Sequence, residues 1–230
     1  MAIAAPLGRL KRSLVASAGT IVFGMEDGTV SIFGLVFGVA ATTTNSVAVL
    51  VAGASGAAAA AVSMMAGAYL DAETSRDAVQ ASQQPLQVDS ASVAALLSSR
   101  LGEPRLTTKQ SAALAAAINA DPDALKDLVT ALQAAPQTPQ NPLEQAAWML
   151  VADFLSAAVP ILPFALLPIA QARIVSAVIT IALLVVLGFG RARIGGRSIA
   201  RTVLETVSIG VAAALAGVAI GVLIDRNFGG

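Results

Sequence analysis

The longest stretch without a charged residue decides what this chain can fold into. Between Gly28 and Leu70, 43 consecutive residues include no Asp, Glu, Lys or Arg. Further charge-free runs cover residues 154–172, 174–190 and 206–224. A helix needs about 20 residues to cross the hydrocarbon core of a bilayer, which is about 30 Å thick. The runs therefore predict helices that cross a membrane.

The first run is too long for one crossing, and residues 42–46 interrupt it with a polar stretch that is typical of a turn. We therefore predict two crossings in this run and five in the whole chain, which makes an all-α polytopic membrane protein. The predicted spans are residues 20–41, 47–70, 145–167, 172–190 and 203–224.

Composition agrees with a membrane protein and excludes several kinds of chemistry. Apolar residues make up 56% of the 230 residues and charged residues 12%, whereas soluble domains carry roughly 25% charged residues. His and Cys are both absent, which excludes disulfides, thiolate or imidazole metal sites and Ser-His-Asp catalysis. We expect no enzyme activity, no cofactor and, at zero net charge, no nucleic-acid partner.

The basic residues predict the orientation. Three lie before the first span, and four lie between the fourth and fifth spans. Five spans put both groups on one side, which the positive-inside rule makes the cytoplasm, and the C-terminus outside. The predicted parts are a cytosolic N-terminal segment (1–19), two spans (20–70), a cytosolic helical domain (71–143) and three spans (144–230).

Residues 71–143 are predicted to form a small helical domain between spans two and three. Three helices are expected there, over residues 91–101, 108–119 and 122–135, because apolar residues recur at helical spacing between capping and breaking residues. After a linker, residues 141–144 (Asn-Pro-Leu-Glu) have the form of a capped helix start.

An acidic pair inside the first span, Glu26 and Asp27, is the sharpest candidate for chemistry. An ionisable residue within a span is costly unless it faces a cavity or a partner. The alternative is that both lie among the lipid headgroups. The span would then begin at Gly28 and leave residues 28–41, which are too few to cross.

Two pairs of glycines, each pair at four-residue spacing, lie along the same span. They are Gly24, Gly28, Gly34 and Gly38. Pairs of small residues at this spacing let helix backbones approach closely. We predict that the four glycines form a seam between two subunits, with helix packing inside one subunit as the alternative.

Other positions are candidates for metal or proton contacts. The thioether of Met64, in the second span, is a soft ligand that suits late divalent metals, although a core or lipid-facing methionine is the alternative. Asp153 follows Trp148 by five residues, which predicts either a carboxylate at the mouth of a pathway or a solvated interfacial one. Glu73 and Asp77 are one turn apart and are candidates, with Asp153, for a cytosolic acidic vestibule; a solvated charged face is the alternative.

Two segments resemble the vacuolar iron transporter family. Residues 24–31 (Gly-Met-Glu-Asp-Gly-Thr-Val-Ser) resemble its signature, an Asp-Gly pair early in the first helix. Residues 61–70 (Ala-Val-Ser-Met-Met-Ala-Gly-Ala-Tyr-Leu) resemble its second-helix segment. The layout is similar as well: two spans, a helical cytosolic insert and three spans.

The resemblance implies a homodimer that exports ferrous iron or manganese from the cytoplasm in exchange for protons, with the metal as substrate and the pathway between the subunits. It implies that Asp27 lies on the metal and proton path, with Glu26 beside it, and that Met64 binds the metal. Asn45 or Thr42 is expected to supply weak ligands near the exit. The excess of Arg over Lys and the many alanines favour a bacterial plasma membrane.

This chain departs from the family at two positions where glutamate is usual, which here are Gly56 and Ala68. The insert is also poor in glutamate, as in a bacterial-type member. These departures keep a second interpretation open, a membrane scaffold or regulatory protein that retains the transporter fold without transport. A carrier of another substrate through the same seam is a third.

Single cysteines test the predicted orientation, since the chain has no native Cys. A cysteine at Ser92 is expected to react with a membrane-impermeant thiol reagent only after the cell is opened, and one at Asn227 in intact cells. Equal labelling of the two positions from outside would contradict the topology.

Overall fold

The computed structural model describes residues 4–82 and 141–228. They form six helices: α1 (Ala4–Ala16), α2 (Ala18–Thr42), α3 (Ser46–Ser82), α4 (Pro142–Leu166), α5 (Ile169–Gly195) and α6 (Ile199–Phe228). No strand occurs within these described ranges. Five helices, α2 to α6, are long and apolar enough to cross a membrane, α3 through Ala78. The predicted all-α fold with five spans is therefore confirmed, and each helix extends beyond the span that the charge-free runs predicted at one end or both.

The chain divides into two compact units. The first combines Met1–Ala72 with Asn141–Gly230, and the second covers Glu73–Gln140. Of the second unit, the structure describes the last part of α3. The three helices predicted within the cytosolic insert lie outside the described residues.

Helix α2 lies at the centre of the first unit and packs on α4, α5 and α6. Helix α4 runs parallel to it, because Gln145 donates a 3.1 Å hydrogen bond to Thr20 near the start of α2 and Asp153 lies against Gly28 further along. Helix α5 runs antiparallel to α2, because Glu26 in the first half of α2 forms an ion pair with Arg191 near the end of α5. We call the end of the bundle where α2, α4 and α6 begin and α5 ends the Arg191 end.

The opposite end of the bundle is held by Arg173 near the start of α5. Its guanidinium donates to the backbone carbonyls of Ala40 and Thr43, where α2 ends. The last carbonyls of a helix have no partner within it and carry partial negative charge, so a half-buried cation is stabilising there.

The predicted start of α4 is confirmed. Asn141 accepts a 3.1 Å hydrogen bond from the backbone N–H of Leu143, and Pro142 occupies the first helical position. Glu144 in the first turn accepts a hydrogen bond from Ser13, which ties α1 to α4. At the end of α5, Gly196 adopts the left-handed conformation that favours glycine, with φ of 61°.

The glycines predicted as a subunit seam are buried inside one chain: Gly24, Gly28, Gly34 and Gly38. The first two face α4 and the last two face α6. A β-carbon on Gly38 would lie 2.7 Å from the carbonyl oxygen of Gly217, which leaves no room for a side chain. The seam prediction is therefore wrong for these residues, because their close contacts join helices of the same subunit.

Replacing Gly38 by alanine is expected to lower the melting temperature of the purified protein in detergent. The added methyl group must separate α2 from α6, and such overpacking costs about 1–3 kcal/mol. Gly67→Ala on α3 is the matched control, since nothing lies within 4 Å of its β-position. Alanine there is expected to be neutral or stabilising by up to about 1 kcal/mol. Equal melting temperatures for the two variants would contradict the packing.

Candidate intramembrane ion site

A cavity of about 480 Å³ lies between α2 and the neighbouring parts of α5 and α6. Its polar lining comes from two acidic side chains of α2, Glu26 and Asp27, and from Arg191 and Arg197 at the Arg191 end. Apolar residues such as Phe23 complete the wall. The cavity therefore joins an acidic pair to a basic pair in surroundings that are otherwise apolar.

Glu26 is neutralised within the chain. Its Oε1 lies 3.1 Å from Nη1 of Arg191 and accepts a 2.7 Å hydrogen bond from Oγ1 of Thr206. The ion pair joins α2 to α5, and the threonine joins α2 to α6. Because this carboxylate already has a cation and a donor, it is a structural link between three helices rather than a vacant ligand.

Asp27 is in a different situation, although it is the next residue. It is half-buried and faces the same cavity, and the residues that the structure describes donate no hydrogen bond to its carboxylate. Successive side chains on a helix point about 100° apart. The two neighbouring acids are thereby separated into one that is paired and one that is open to the cavity.

The face of α2 that carries Asp27 is incompletely covered by the chain. Phe23 is 56% exposed and Leu35 is 38% exposed, and Ser31 between them is exposed as well. These residues are spaced four apart with Asp27, so they form one stripe along the helix. We call Phe23, Asp27, Ser31 and Leu35 the open stripe of α2.

Asp153 lies in the contact between α4 and α2. Its side chain is completely buried, and neither carboxylate oxygen has a hydrogen-bond partner among the described residues. The carboxylate lies against Gly28, where a β-carbon would be 2.8 Å from Oδ1. Asp27 is the residue that precedes Gly28 on α2, so the contact brings Asp153 next to the segment that carries Asp27.

This position corrects the sequence-based interpretation of Asp153. Neither a solvated interfacial carboxylate nor a member of a cytosolic vestibule fits a side chain buried against α2. The other two proposed vestibule residues, Glu73 and Asp77, are exposed near the end of α3. Asp153 itself does not belong to a solvated vestibule, because it lies on the buried face of α4, whose other members include Ala146, Met149, Ser156, Ala157 and Pro160.

The register of α3 against α2 indicates that Met64 lies near the level of Asp27. Gly56 of α3 packs against Leu35 of α2. Asp27 comes eight residues before Leu35, and Met64 comes eight residues after Gly56. Since α2 and α3 are antiparallel across a short connection, the two side chains lie at one level. Met64 also follows the buried face of α3, whose neighbouring members are Ala57, Ala61 and Ala68.

The predicted exit ligands lie far from this level. Asn45 and Thr42 are at the other end of α2, about 22 Å from Asp27 at 1.5 Å per residue. The side-chain oxygen of Asn45 accepts a 2.9 Å hydrogen bond from the N–H of Val47, so it caps α3. The hydroxyl of Thr42 donates to the carbonyl of Val39. The structure does not bring either residue to the acidic pair.

The roles of Arg191 and Thr206 are not predictable from the sequence pattern. Arg191 was counted only as a topology signal, and its partner Glu26 is 165 residues away in the chain. Within residues 4–82 and 141–228, there is no group of three or more His, Cys, Asp or Glu side chains that could hold a metal ion. The candidate site of one subunit therefore has few ligands. It consists of Asp27 and Asp153, with Met64 near the same level on α3.

Five helices that are long and apolar enough to cross a membrane, with acidic side chains between them, define a multi-pass membrane protein. The model of the VIT family matches residues 18–222, which is most of the chain. The chain therefore belongs to the VIT family, and the family resemblance that the sequence predicted is confirmed. This is a transporter family and not an enzyme family, as expected.

Similar proteins are named as vacuolar iron transporters. A protein named "Vacuolar iron transporter" from Centaurea cyanus is 29% identical over 203 residues, which are 85% of this chain and 83% of the relative. "Vacuolar iron transporter 1" from Arabidopsis thaliana is 26% identical over 213 residues, which are 90% of this chain and 85% of the relative. "Vacuolar iron transporter 2" from Oryza sativa subsp. japonica is 27% identical and covers 85% and 82%.

The pair of Glu26 and Arg191 is testable as a structural link. Replacing Arg191 by methionine leaves a largely buried carboxylate without its cation, which is expected to destabilise the protein by about 1–3 kcal/mol. Adding Glu26→Gln in the same chain is expected to restore part of the loss. Melting temperatures of the two single variants and the double variant measure the coupling.

Arg201→Met is the matched control for this cycle. Arg201 pairs with Glu205 on the surface of α6 at 3.2 Å, and its side chain is 79% exposed. Such a pair is expected to contribute less than about 1 kcal/mol. Equal destabilisation by Arg191→Met and Arg201→Met would contradict the structural role of the buried pair.

Proposed function

We propose that this chain transports a divalent transition metal, ferrous iron or manganese, across the membrane in exchange for protons. The observation that carries the proposal is Asp27, a carboxylate on a membrane-crossing helix that faces a cavity without a counter-charge of its own. Its neighbour Glu26 is already neutralised by Arg191. An intramembrane carboxylate in this situation can hold a proton and a cation in turn.

Met64 is the proposed soft ligand at the same level. A thioether binds late divalent metals better than it binds manganese, which prefers oxygen. Its register with Asp27 supports this role, and so does its place on the buried face of α3. We infer that Asn45 acts as a helix cap and is not a ligand.

The proposed assembly is a homodimer in which the open stripe of α2 meets its copy. The stripe leaves Phe23 and Leu35 exposed on a helix whose other faces are buried against α4 and α6. A second subunit there would place two copies of Asp27 near one another and supply ligands that a single subunit lacks. The proposed orientation has the Arg191 end in the cytoplasm, so that metal moves outward, and a bacterial plasma membrane is the proposed location.

A membrane scaffold without transport is the second candidate. The positions of Gly56 and Ala68 on α3 carry no carboxylate, and the described residues form no three-ligand acidic cluster. Metal-dependent stabilisation of the purified protein separates the candidates. A ligand that binds the folded state raises its stability, by about 2.7 kcal/mol at a concentration 100 times the Kd. A scaffold would show no such rise with ferrous iron or manganese.

Proteoliposomes with an imposed pH gradient test transport directly. The parent chain is expected to move ferrous iron or manganese at a rate that depends on the gradient. Asp27→Asn keeps the size of the side chain and removes the exchangeable charge, so it is expected to reduce metal flux to that of empty vesicles. Met64→Leu is expected to reduce flux of a late metal such as cobalt more than flux of manganese.

Asp225→Asn is the matched control for Asp27→Asn. Asp225 is exposed near the end of α6, away from the acidic pair, and its loss is expected to leave the flux unchanged. Transport by Asp27→Asn at the parent's rate would defeat the mechanism. A parent chain that carries no divalent metal under any gradient would leave the scaffold in its place.

A further inference from the structure

Asp153 is a buried acid that packing alone does not explain. It is 0% exposed, and neither oxygen of its carboxylate has a hydrogen-bond partner among the described residues. The hydroxyl of Ser156, one turn later, is turned to the backbone carbonyl of Asp153 at 2.9 Å and so does not serve the carboxylate. Both carboxylate oxygens of Asp153 are thus available to bind a ligand within the contact between α2 and α4.

An unpaired ionised carboxylate in such a place is costly, several kcal/mol for one ion even after relaxation. It is stable only when a proton or a cation neutralises it. Its neighbours on α2 supply no positive charge, because Gly28 has no side chain and Asp27 is itself acidic. The two basic residues that line the cavity are already paired, Arg191 with Glu26 and Arg197 with Glu205. The acid is therefore neutralised either by a proton or by a cation that binds there.

The backbone of α2 is shaped to admit this side chain. A β-carbon at Gly28 would lie 2.8 Å from Oδ1 of Asp153 and equally close to Oγ of Ser156. The absence of that carbon lets the α4 carboxylate lie against α2 beside Asp27. Asp27 in turn faces the open cavity. The two acids therefore lie one behind the other, from the cavity toward the contact between α2 and α4.

We propose that Asp153 supplies a second carboxylate ligand to the cation site of Asp27, from α4 rather than from α3. The site then has an outer carboxylate at the cavity and an inner one that contributes when a divalent cation is bound. This inference rests on the proposed function, because it names a further ligand of the same transported metal. Nothing in the helix contacts alone requires an acid at this position.

Manganese binding to the purified full-length chain in detergent tests the inference. Asp153→Asn keeps the shape of the side chain and removes its charge. We expect it to weaken manganese affinity in calorimetry by roughly tenfold or more, since one charged ligand is lost. Glu144→Gln removes an exposed acid from the same helix and is expected to leave the affinity unchanged.

The double variant Asp27→Asn with Asp153→Asn identifies a shared site. If both acids bind one ion, the loss of affinity in the double variant is smaller than the product of the two single losses. Losses that multiply would overturn the inference, and so would parent-like binding by Asp153→Asn. Without metal, Asp153→Asn is expected to melt no lower than the parent, because the carboxylate has no bond to lose. A lower melting temperature without metal would show a structural role instead.

A second variant and a transport measurement distinguish failure of this inference from failure of folding or of the proposed function. Asp153→Ser, a smaller neutral residue, replaces the asparagine variant if that protein does not fold, and the same loss of affinity is expected. A parent chain that neither binds nor transports manganese or iron would overturn the proposed function and this inference together. A parent that transports while Asp153→Asn transports equally well would overturn this inference alone.

Discussion

The close contact of α2 with two parallel neighbours is the constraint on which the rest of this structure depends. Helices in a bilayer gain little from hydrophobic burial against one another, so they associate through close packing and polar contacts. Glycines provide that approach on both sides of α2, toward α4 at Gly24 and Gly28 and toward α6 at Gly34 and Gly38. Because α2 is fixed from both sides, its remaining stripe is the one that stays open.

Charged side chains then set the position of α2 along its own axis. The pair of Glu26 and Arg191 fixes one end against α5, and Arg173 fixes the carbonyls at the other end. Both arginines belong to α5, which therefore contacts α2 near both of its ends. Glu26, Arg173 and Arg191 are thus committed to contacts between helices, whereas the described residues donate no hydrogen bond to the carboxylates of Asp27 and Asp153.

The bilayer itself explains why the number of spans could be predicted from the sequence. Backbone groups in lipid must be satisfied within each segment, so charge-free runs of sufficient length become helices. The ends of the helices were less predictable, because each continues into the polar region, as α3 does past Leu70. Asn141 and Pro142 are the exception, since a local capping signal marks that end.

The site could be predicted less well, because residues that meet in it are far apart in the sequence. Asp27 was identified because a single helix carries the whole signal, an acid within a span. The partner of Glu26 is 165 residues away, and no local pattern encodes such a pair. Asp153 was misjudged because its depth was estimated from Trp148 alone. The spacing of Ala146, Met149 and Ala157 on one face of α4 contained the signal that it is buried.

The Asp27-Gly28 pair acquires a physical meaning from this arrangement. On a helix, neighbouring residues point in different directions, so the aspartate faces the cavity while the glycine faces α4. The glycine is needed because the α4 backbone and the Asp153 carboxylate occupy the space of its side chain. A larger residue there would displace the inner acid even if Asp27 stayed in place. Two adjacent residues thus lie against different neighbours, Asp27 against the cavity and Gly28 against Asp153, the most deeply buried acid among the described residues.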